Sequence, residues 1–380
     1  MIASLSVPRL ALAATGLGLS LGAYQIIGRP DILAEASALS QDPAHRGQAV
    51  PLLKEALRRD NANPYRWADL ADALDAEGDS GPAKKCYDRA IELAPGIPQI
   101  WVRHANFALS EDDIEGALHS AARVLEIVPD FDGVLFTYFD RILETDSSSF
   151  LAAVSNNRRA TRSWFIHMIE VNNPAAARLA WAHITSAGYG DDELAASYAA
   201  YLLRINAPVI AQSTWASWLA DRRGDFPLRN LLYNGDLRLP EVRGPFDWQL
   251  AANNPEVETT REGQNFRIRF TANSNLSYDG LFQTAVLPQA GPYRLSARIK
   301  VDQLTTDQGI RLAIPDLNLE TEALTGTHGW TTVGLDFVVQ APRAIRVALK
   351  RTPSRKFDNK VQGTAWATGF NLTFTARNTL

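Results

Sequence analysis

A cluster of basic side chains lies near the C-terminal end of this sequence, in residues 343–360. The segment holds one acidic residue, Asp358, against seven basic residues: Arg343, Arg346, Lys350, Arg351, Arg355, Lys356 and Lys360. Arginine offers paired N–H donors to a carboxylate, so the cluster suits a ligand that carries uronate, phosphate or pyruvate groups. The alternative is structural, because Arg355 and Asp358 are close enough in sequence to pair and to fix a long loop.

Aromatic residues in the same half of the chain supply a second kind of ligand contact. The apolar face of a sugar ring stacks on an aromatic side chain, while planar polar side chains bind the hydroxyls. Five rings are candidates for stacking: Trp248, Tyr278, Phe282, Trp330 and Trp366. Trp248 and Tyr278 each stand beside an aspartate in loop-like sequence and are favoured, whereas the positions of Trp330 and Trp366 in strands are more typical of core residues. The predicted glycan-binding residues are Asp247, Trp248, Tyr278, Gln283, Arg351, Arg355, Lys356 and Asp358.

No arrangement of residues in the sequence indicates a catalytic centre. There is no Gly-x-Ser-x-Gly elbow, no His-Glu-x-x-His pair and no phosphate-binding loop. The carboxylates of Asp316, Glu320 and Glu322 could in principle cleave a glycosidic bond, but their spacing is that of an ordinary strand and turn. The six histidines are dispersed, and the single cysteine, Cys86, excludes an intrachain disulfide and a thiolate zinc site. We therefore expect a protein that is not an enzyme and that uses no cofactor and no metal.

The basic segment and the aromatic residues lie in a C-terminal region, residues 228–380, whose pattern predicts strands. Alternating apolar and polar runs such as FRIRFTA, YRLSARIKV and FNLTFTA are separated by Gly, Pro, Asn and Asp. At least eight such runs without a helical interval predict an antiparallel β-sandwich of the jelly-roll type.

The region before the strands contains a repeat of 34 residues. In its middle unit, large and small residues follow the tetratricopeptide pattern, namely Trp67, Leu70, Ala71, Leu74, Ala83, Tyr87, Ala90 and Pro95. Three units span 30–63, 64–97 and 98–131, and degenerate helical repeats are expected over 132–227. Such helical hairpins stack into an α-solenoid whose groove holds a protein partner. The predicted groove residues, all on the first helices of their units, are Tyr65, Arg66, Asp69, Arg103 and Asn106.

The N-terminal segment predicts attachment to a membrane. Residues 10–27 contain no charged residue and follow Arg9. At a rise of about 1.5 Å per residue, this segment is just long enough for the hydrocarbon core. We expect residues 1–29 to form an uncleaved signal anchor, with a cleaved signal peptide as the alternative. The charge flanking the segment places the remaining chain in the bacterial periplasm, where the solenoid either binds a protein or serves only as a spacer.

The strand region resembles carbohydrate-binding modules of the jelly-roll type that accompany plant-polysaccharide hydrolases. The likeness rests on the segments LLYNGDL, PFDW, QTAVLPQAGPYRLSARIKV, GTHGWTTVGLDFVV and AWATGFNLTF, and the segments LTGTHGW and PSRKFDNKVQGTAW resemble a second group of proteins. Tetratricopeptide proteins of bacterial envelopes that are associated with exopolysaccharide production end in a similar module. Those modules carry acidic residues that help to hold a structural calcium, but this sequence has Arg238 at one such position and Ala367 at another, so no calcium is expected.

These features together predict a multidomain α plus β protein with a membrane helix, a tetratricopeptide solenoid and a C-terminal sandwich. They imply a non-catalytic adaptor of an exopolysaccharide assembly or export system, whose solenoid binds a protein and whose sandwich binds an anionic polysaccharide. The alternative is a pure protein–protein adaptor whose sandwich has lost sugar binding. The net charge of −4 argues against nucleic acid as a partner, because phosphates require a basic surface.

Overall fold

The computed structural model describes residues 35–36, 39, 48–143, 146–250, 255–271, 274–357 and 359–375. The chain divides into two compact units, residues 1–189 and 190–380. The described part of the first unit is helical, and that of the second contains two α-helices followed by ten strands. The expected multidomain α plus β architecture is therefore confirmed.

The first unit is built from nine α-helices in its described part: α1 (Ala49–Arg59), α2 (Pro64–Glu77), α3 (Ser80–Leu93), α4 (Pro98–Ser110), α5 (Ile114–Ile127), α6 (Asp132–Leu143), α7 (Ser147–Val154), α8 (Arg158–Glu170) and α9 (Pro174–Ser186). Neighbouring helices pack in pairs, α2 with α3, α4 with α5 and α8 with α9. Ala83 and Ala117, 34 residues apart, are fully buried in the second helices of the first two pairs. A larger side chain at either position would separate the paired helices.

The turns between repeats are fixed by the same contact in successive units. The indole nitrogen of Trp67 donates a hydrogen bond to the carbonyl oxygen of Asn61 at 2.8 Å, and that of Trp101 donates to the carbonyl oxygen of Pro95 at 2.8 Å. The two tryptophans occupy equivalent positions of the repeat, so each ring packs into its own helical pair while its polar atom satisfies the preceding turn. This recurrence explains why the 34-residue spacing is visible in the sequence.

The second unit contains ten strands in its described part: β1 (Gln249–Leu250), β2 (Val257–Glu262), β3 (Asn265–Thr271), β4 (Tyr278–Leu287), β5 (Gly291–Leu304), β6 (Arg311–Ile314), β7 (Leu319–Glu320), β8 (Gly326–Val339), β9 (Arg343–Arg351) and β10 (Gln362–Phe374). They form two five-stranded sheets, the first in the order β1-β4-β9-β6-β7 and the second in the order β2-β3-β10-β5-β8. All strand pairs are antiparallel. The predicted antiparallel β-sandwich is thus confirmed.

The core of the sandwich follows from the alternation along its strands. In β5, Leu295, Ala297, Ile299 and Val301 are buried, and the residues between them are exposed or half-buried. In β10, Ala365 and Ala367 are buried in the same way. Period-two burial of this kind leaves one face of the second sheet in the core and the other on the surface.

Two helices belong to the second unit, α10 (Asp192–Arg204) and α11 (Pro208–Leu219). Helix α11 packs on β4 and β9 of the first sheet, and the side-chain amide of Gln212 donates to the carbonyl oxygen of Val286 at 3.4 Å. The strand pattern places the start of the sandwich domain at residue 228, whereas the compact unit begins at residue 190 because α11 contributes to its packing.

No helix in the described ranges is long and apolar enough to span a membrane. The segment predicted to be a signal anchor, residues 1–29, lies outside the described residues.

Candidate functional site

Two tryptophans and two basic residues lie together on the outer surface of the second sheet, and we call this surface the aromatic–basic face. It consists of Trp330 on β8, Arg298 and Lys300 on β5, and Trp366 on β10. Lys300 lies directly opposite Trp366 in the strand register, and Thr331, the residue after Trp330, lies opposite Ile299. The four side chains therefore cross three adjacent strands at one level of the sheet.

Strand alternation explains why these side chains point away from the core. Ala365 and Ala367 are fully buried on either side of Trp366, and Ile299 is fully buried between Arg298 and Lys300. Consecutive residues of a strand project to opposite faces, so the basic residues and the tryptophan must face outward. Trp330 remains 40% exposed, and Trp366 and Lys300 are half-buried.

Each tryptophan of the aromatic–basic face has a cation beside its ring. The guanidinium carbon of Arg298 lies 5.4 Å from the ring centroid of Trp330, and the Nζ atom of Lys300 lies 4.9 Å from that of Trp366. Both distances are within the range of a cation–π interaction. The rings and the positive charges are thus held next to each other before any ligand arrives.

The two basic residues of the face carry uncompensated charge. Across the described residues, neither Arg298 nor Lys300 forms an ion pair. In contrast to Arg298 and Lys300, two neighbouring arginines form ion pairs. Arg267 lies 2.7 Å from a carboxylate oxygen of Glu262, and Arg294 lies 2.6 Å from one of Asp336. The combination of exposed rings and unpaired cations can stack on an apolar ligand face and donate hydrogen bonds to an anion.

Trp248 and Tyr278, the favoured stacking residues in the sequence, are buried. Trp248 is 8% exposed, packs against Phe370 with ring centroids 4.3 Å apart, and donates its indole hydrogen to the carbonyl oxygen of Asn234 at 3.2 Å. Tyr278 is 6% exposed, and its hydroxyl lies 2.9 Å from that of Thr259. The expectation that these rings are exposed is therefore corrected, since both complete the core of the sandwich.

Asp247 and Gln283, the predicted partners of sugar hydroxyls, are also buried and bind the backbone instead. The carboxylate of Asp247 accepts hydrogen bonds from the amides of Val242 and Trp248, both at 2.8 Å, and burial raises the pKa of this carboxyl group. The side-chain amide of Gln283 donates to the carbonyl oxygen of Tyr233 at 2.8 Å. Both residues fix the chain that leads into the sheets and are closed to solvent.

Arg351 and its neighbours favour the structural role that the sequence left open for the basic segment. Arg351 is fully buried, its guanidinium group donates to the carbonyl oxygen of Leu276 and to the hydroxyl of Thr306, and burial lowers its pKa. The buried Ser354 donates its hydroxyl to Asp307 at 2.5 Å. These contacts join the segment after β9 to two other loops at one end of the sandwich.

The remaining predicted residues of the basic segment lie on the surface. Arg355 and Lys356 are exposed, and the Nζ atom of Lys356 lies 3.9 Å from a carboxylate oxygen of Asp307. Asp358, the predicted partner of Arg355, lies outside the described residues. The structure does not bring Arg355 or Lys356 to the aromatic–basic face.

The predicted groove residues of the first unit fall into two groups. Tyr65 is 46% exposed, and Asn106 is exposed. The charged members are already engaged, because Arg66 lies 3.2 Å from a carboxylate oxygen of Asp60 and Arg103 lies 2.9 Å from one of Asp69. Burial raises the pKa of Asp69, against the opposing effect of Arg103. This surface therefore offers a partner polar and aromatic contacts rather than free charge.

The first unit also contains a cleft of about 220 Å³ between α6, α7, α8 and the start of α9. Its wall includes Phe139, Asp140, Trp164 and Asn173. The carboxylate of Asp140 lies 2.8 Å from the Nε2 atom of His167. Within the described ranges, no group of three or more His, Cys, Asp or Glu residues is arranged to hold a metal ion.

Trp330 and Trp366 were expected in the core from their positions in strands, and Arg298 and Lys300 were not among the predicted site residues. The sequence signal for all four residues is which positions of each strand alternate outward. The run Arg298, Ile299, Lys300 places two cations on one face of β5, and Trp366 stands between two small apolar residues that a strand can turn toward the core. Which tryptophan then meets which cation depends on the pairing of distant strands, which a single sequence does not show.

No protein-family model matches the sequence, and no curated protein matches it either. Among solved structures, a CBM4 structure aligns with a TM-score of 0.27 and 11% identity, covering 38% of this chain and 99% of that chain. TmCBM61 in complex with β-1,4-galactotriose aligns with a TM-score of 0.25 and 17% identity, covering 39% and 99%. PilF of Pseudomonas aeruginosa aligns with a TM-score of 0.27 and 14% identity, covering 52% and 91%. None of these likenesses assigns an activity to the chain.

Proposed function

We propose that this protein binds an acidic polysaccharide through the aromatic–basic face and performs no catalysis. The observation that carries the proposal is the pairing of two surface tryptophans with two cations that form no ion pair with any described residue. A pyranose ring presents an apolar face of C–H groups, which stacks on an indole, and a uronate carboxylate accepts hydrogen bonds from the adjacent cation.

The charges of the face favour an acidic sugar over a neutral one. A cation next to an indole raises the positive potential at the position that a stacked ring would occupy. A neutral sugar gains the stacking contact but leaves the cations of Arg298 and Lys300 unpaired. An acidic sugar gains both interactions, so we expect selectivity for polymers with uronate or pyruvate groups.

The wider role that we propose is that of an adaptor in an envelope polysaccharide system of a bacterium. The first unit binds a protein segment, and residues 1–29 tether the chain to the inner membrane with its bulk in the periplasm. This proposal is supported by the uncharged segment 10–27, by the 34-residue repeat and by the resemblance of the strand region to modules found in exopolysaccharide proteins. A pure protein–protein adaptor is the alternative, and the burial of Trp248 and Tyr278 favours it over a site at those two residues.

The charge of the face can be tested with Arg298→Gln and Lys300→Gln in the full chain. Hydrogen bonds to charged groups are worth about 1.5–3 kcal/mol, so each change should weaken binding of oligogalacturonate by about tenfold or more. The measurement is affinity electrophoresis in gels that contain polygalacturonate at two salt concentrations. Arg294→Gln is the matched control, because this arginine lies on the same strand but already pairs with Asp336. It should leave the affinity unchanged.

Chemical reduction of the polymer carboxylates separates charge from stacking. The reduced polymer should bind the wild type and the two glutamine variants equally weakly, because only the carboxylates distinguish them. If the wild type binds no acidic or neutral polymer, the sandwich does not bind sugar and the alternative adaptor function takes its place. Equal losses in Arg294→Gln and Lys300→Gln would contradict the assignment of the site.

A further inference from the structure

The four edge strands of the sandwich differ in how their unpaired backbone groups are protected. In the described residues of the first sheet, the edges β1 and β7 are two residues long. In the second sheet, β2 has six residues, of which Glu258, Arg261 and Glu262 are charged. Strand β8 is the exception, because it is an edge of 14 residues. Short or charged edges resist pairing with another chain, and long uncharged ones invite it.

Strand β8 lacks most of the devices that usually protect an edge, and the irregular part of its pairing with β5 lies before Thr331. It contains no lysine, arginine or proline, and its carboxylate, Asp336, is engaged by Arg294 at 2.6 Å. From Thr331 to Val339 it pairs residue for residue with β5, without a bulge that would twist the edge away. Val338 is 62% exposed. Among the described residues, none pairs with the outer side of this stretch, so its outward backbone donors and acceptors form a regular unpaired row.

We propose that β8 pairs in antiparallel fashion with β8 of a second copy of the chain. The second sheets of the two copies then form a single sheet that contains ten strands. A second copy fits because the strand is complementary to itself. With the two-fold axis at Gly334, Val333 of one copy lies opposite Leu335 of the other, and Trp330 lies opposite Val338. Val333 and Leu335 are only partly buried at the edge of the core. Pairing covers their remaining exposed surface, and the two Asp336 residues stay four positions apart.

Within the described part of the second unit, no strand is hydrogen-bonded to the outer side of β8. Helix α11 packs on β4 and β9, which belong to the first sheet. The dimer would also place two copies of the aromatic–basic face on one continuous surface, because Trp330 belongs to β8. For a repeating polymer, two linked sites raise the overall affinity without any new contact. The pairing itself does not depend on the proposed polysaccharide function, and its test uses no polysaccharide.

The pairing is tested by distances between nitroxide labels in the full chain, purified in mild detergent. Cys86 is the only natural cysteine and is 7% exposed, so single cysteines introduced as Thr332→Cys or Val338→Cys can be labelled selectively. At about 3.4 Å per residue, the axis at Gly334 predicts a label separation of about 14 Å at position 332 and about 27 Å at position 338. If the two-fold axis lies one residue away from Gly334, one label separation is longer by about 7 Å and the other is shorter by about 7 Å. The sum of the two separations therefore stays at about 41 Å for any such register of the β8 pair.

Two lysine substitutions complete the experiment. Leu335→Lys points a charge inward on the edge, where it reaches solvent in the monomer but is covered in the dimer. Thr331→Lys does the same at a more exposed position and serves if Leu335→Lys does not fold. Made in the Val338→Cys background, either change should abolish the dipolar coupling between labels and reduce the mass to that of a monomer, while Thr332→Ser in the same background should leave both unchanged. A monomeric wild type, or a dimer whose labels do not show these distances, overturns the proposal.

Discussion

Replacing Trp330 and Trp366 together by alanine should weaken binding of oligogalacturonate by about 30- to 700-fold. Each ring contributes about 1–2 kcal/mol through stacking and apolar burial, and tenfold in affinity corresponds to about 1.4 kcal/mol. The folded state should be little affected, because both rings lie on the outer surface of the second sheet and leave the core intact. The measurement is affinity electrophoresis, with thermal unfolding of the same variant to establish that the sandwich remains folded.

Phe374→Ala is the control for this prediction. Phe374 is 40% exposed, like Trp330, and lies at the far end of β10, where its ring contacts Tyr293. Its removal should leave the affinity unchanged. If the double tryptophan variant binds as tightly as the wild type, or if Phe374→Ala binds equally weakly, the site lies elsewhere on the protein.

Replacing Trp215 by alanine should destabilise the sandwich, although Trp215 lies on a helix. Its side chain is fully buried, and it fits so closely against Gly244 that a Cβ atom at Gly244 would lie 2.1 Å from the indole ring. Truncation of a buried tryptophan costs about 3–5 kcal/mol. We expect the midpoint of unfolding, monitored by the strand signal in circular dichroism, to shift to a lower urea concentration.

A fragment that begins at residue 228 should be unstable because it lacks Trp215, and a fragment that begins at residue 190 should fold.

Ile210→Ala on the same helix is the control, because Ile210 is 57% exposed. Surface substitutions usually change the free energy of unfolding by no more than about 0.5 kcal/mol, and no shift of the strand transition is expected. In Trp215→Ala, the helical signal could instead be lost at low urea concentration while the strand transition stays unchanged. That result would show that α11 and the sandwich unfold independently and would contradict the prediction.

The sequence predicted the helical repeat well because its packing is local. Ala83 and Ala117 are buried at equivalent positions, and the indoles of Trp67 and Trp101 make equivalent hydrogen bonds, so each unit repeats the same constraints after 34 residues. The extent of the second unit was not predicted. It depends on the packing of α11 against strands much later in the chain. The contact of Gln212 with Val286, for example, joins residues that are 74 positions apart, and no local pattern reports such a contact.

The candidate site shows the same division between local and distant information. An aspartate beside an aromatic residue suggested exposure for Trp248, yet the carboxylate of Asp247 is satisfied by nearby backbone amides, which allows both residues to be buried. The outward direction of Trp366 follows from its neighbours in sequence. Its pairing with Lys300 follows only from the register of β10 against β5, which joins residues that are far apart in the chain.

The most direct test of the aromatic–basic face is fluorine NMR of the full chain labelled with 5-fluorotryptophan. The nine tryptophans give separate reporters, which single Trp→Phe variants assign. On addition of oligogalacturonate, the signals of Trp330 and Trp366 should shift together with one dissociation constant, and those of the buried Trp215 and Trp248 should not. If no acidic oligosaccharide shifts Trp330 and Trp366, or if other tryptophans shift in their place, the proposed binding face is contradicted.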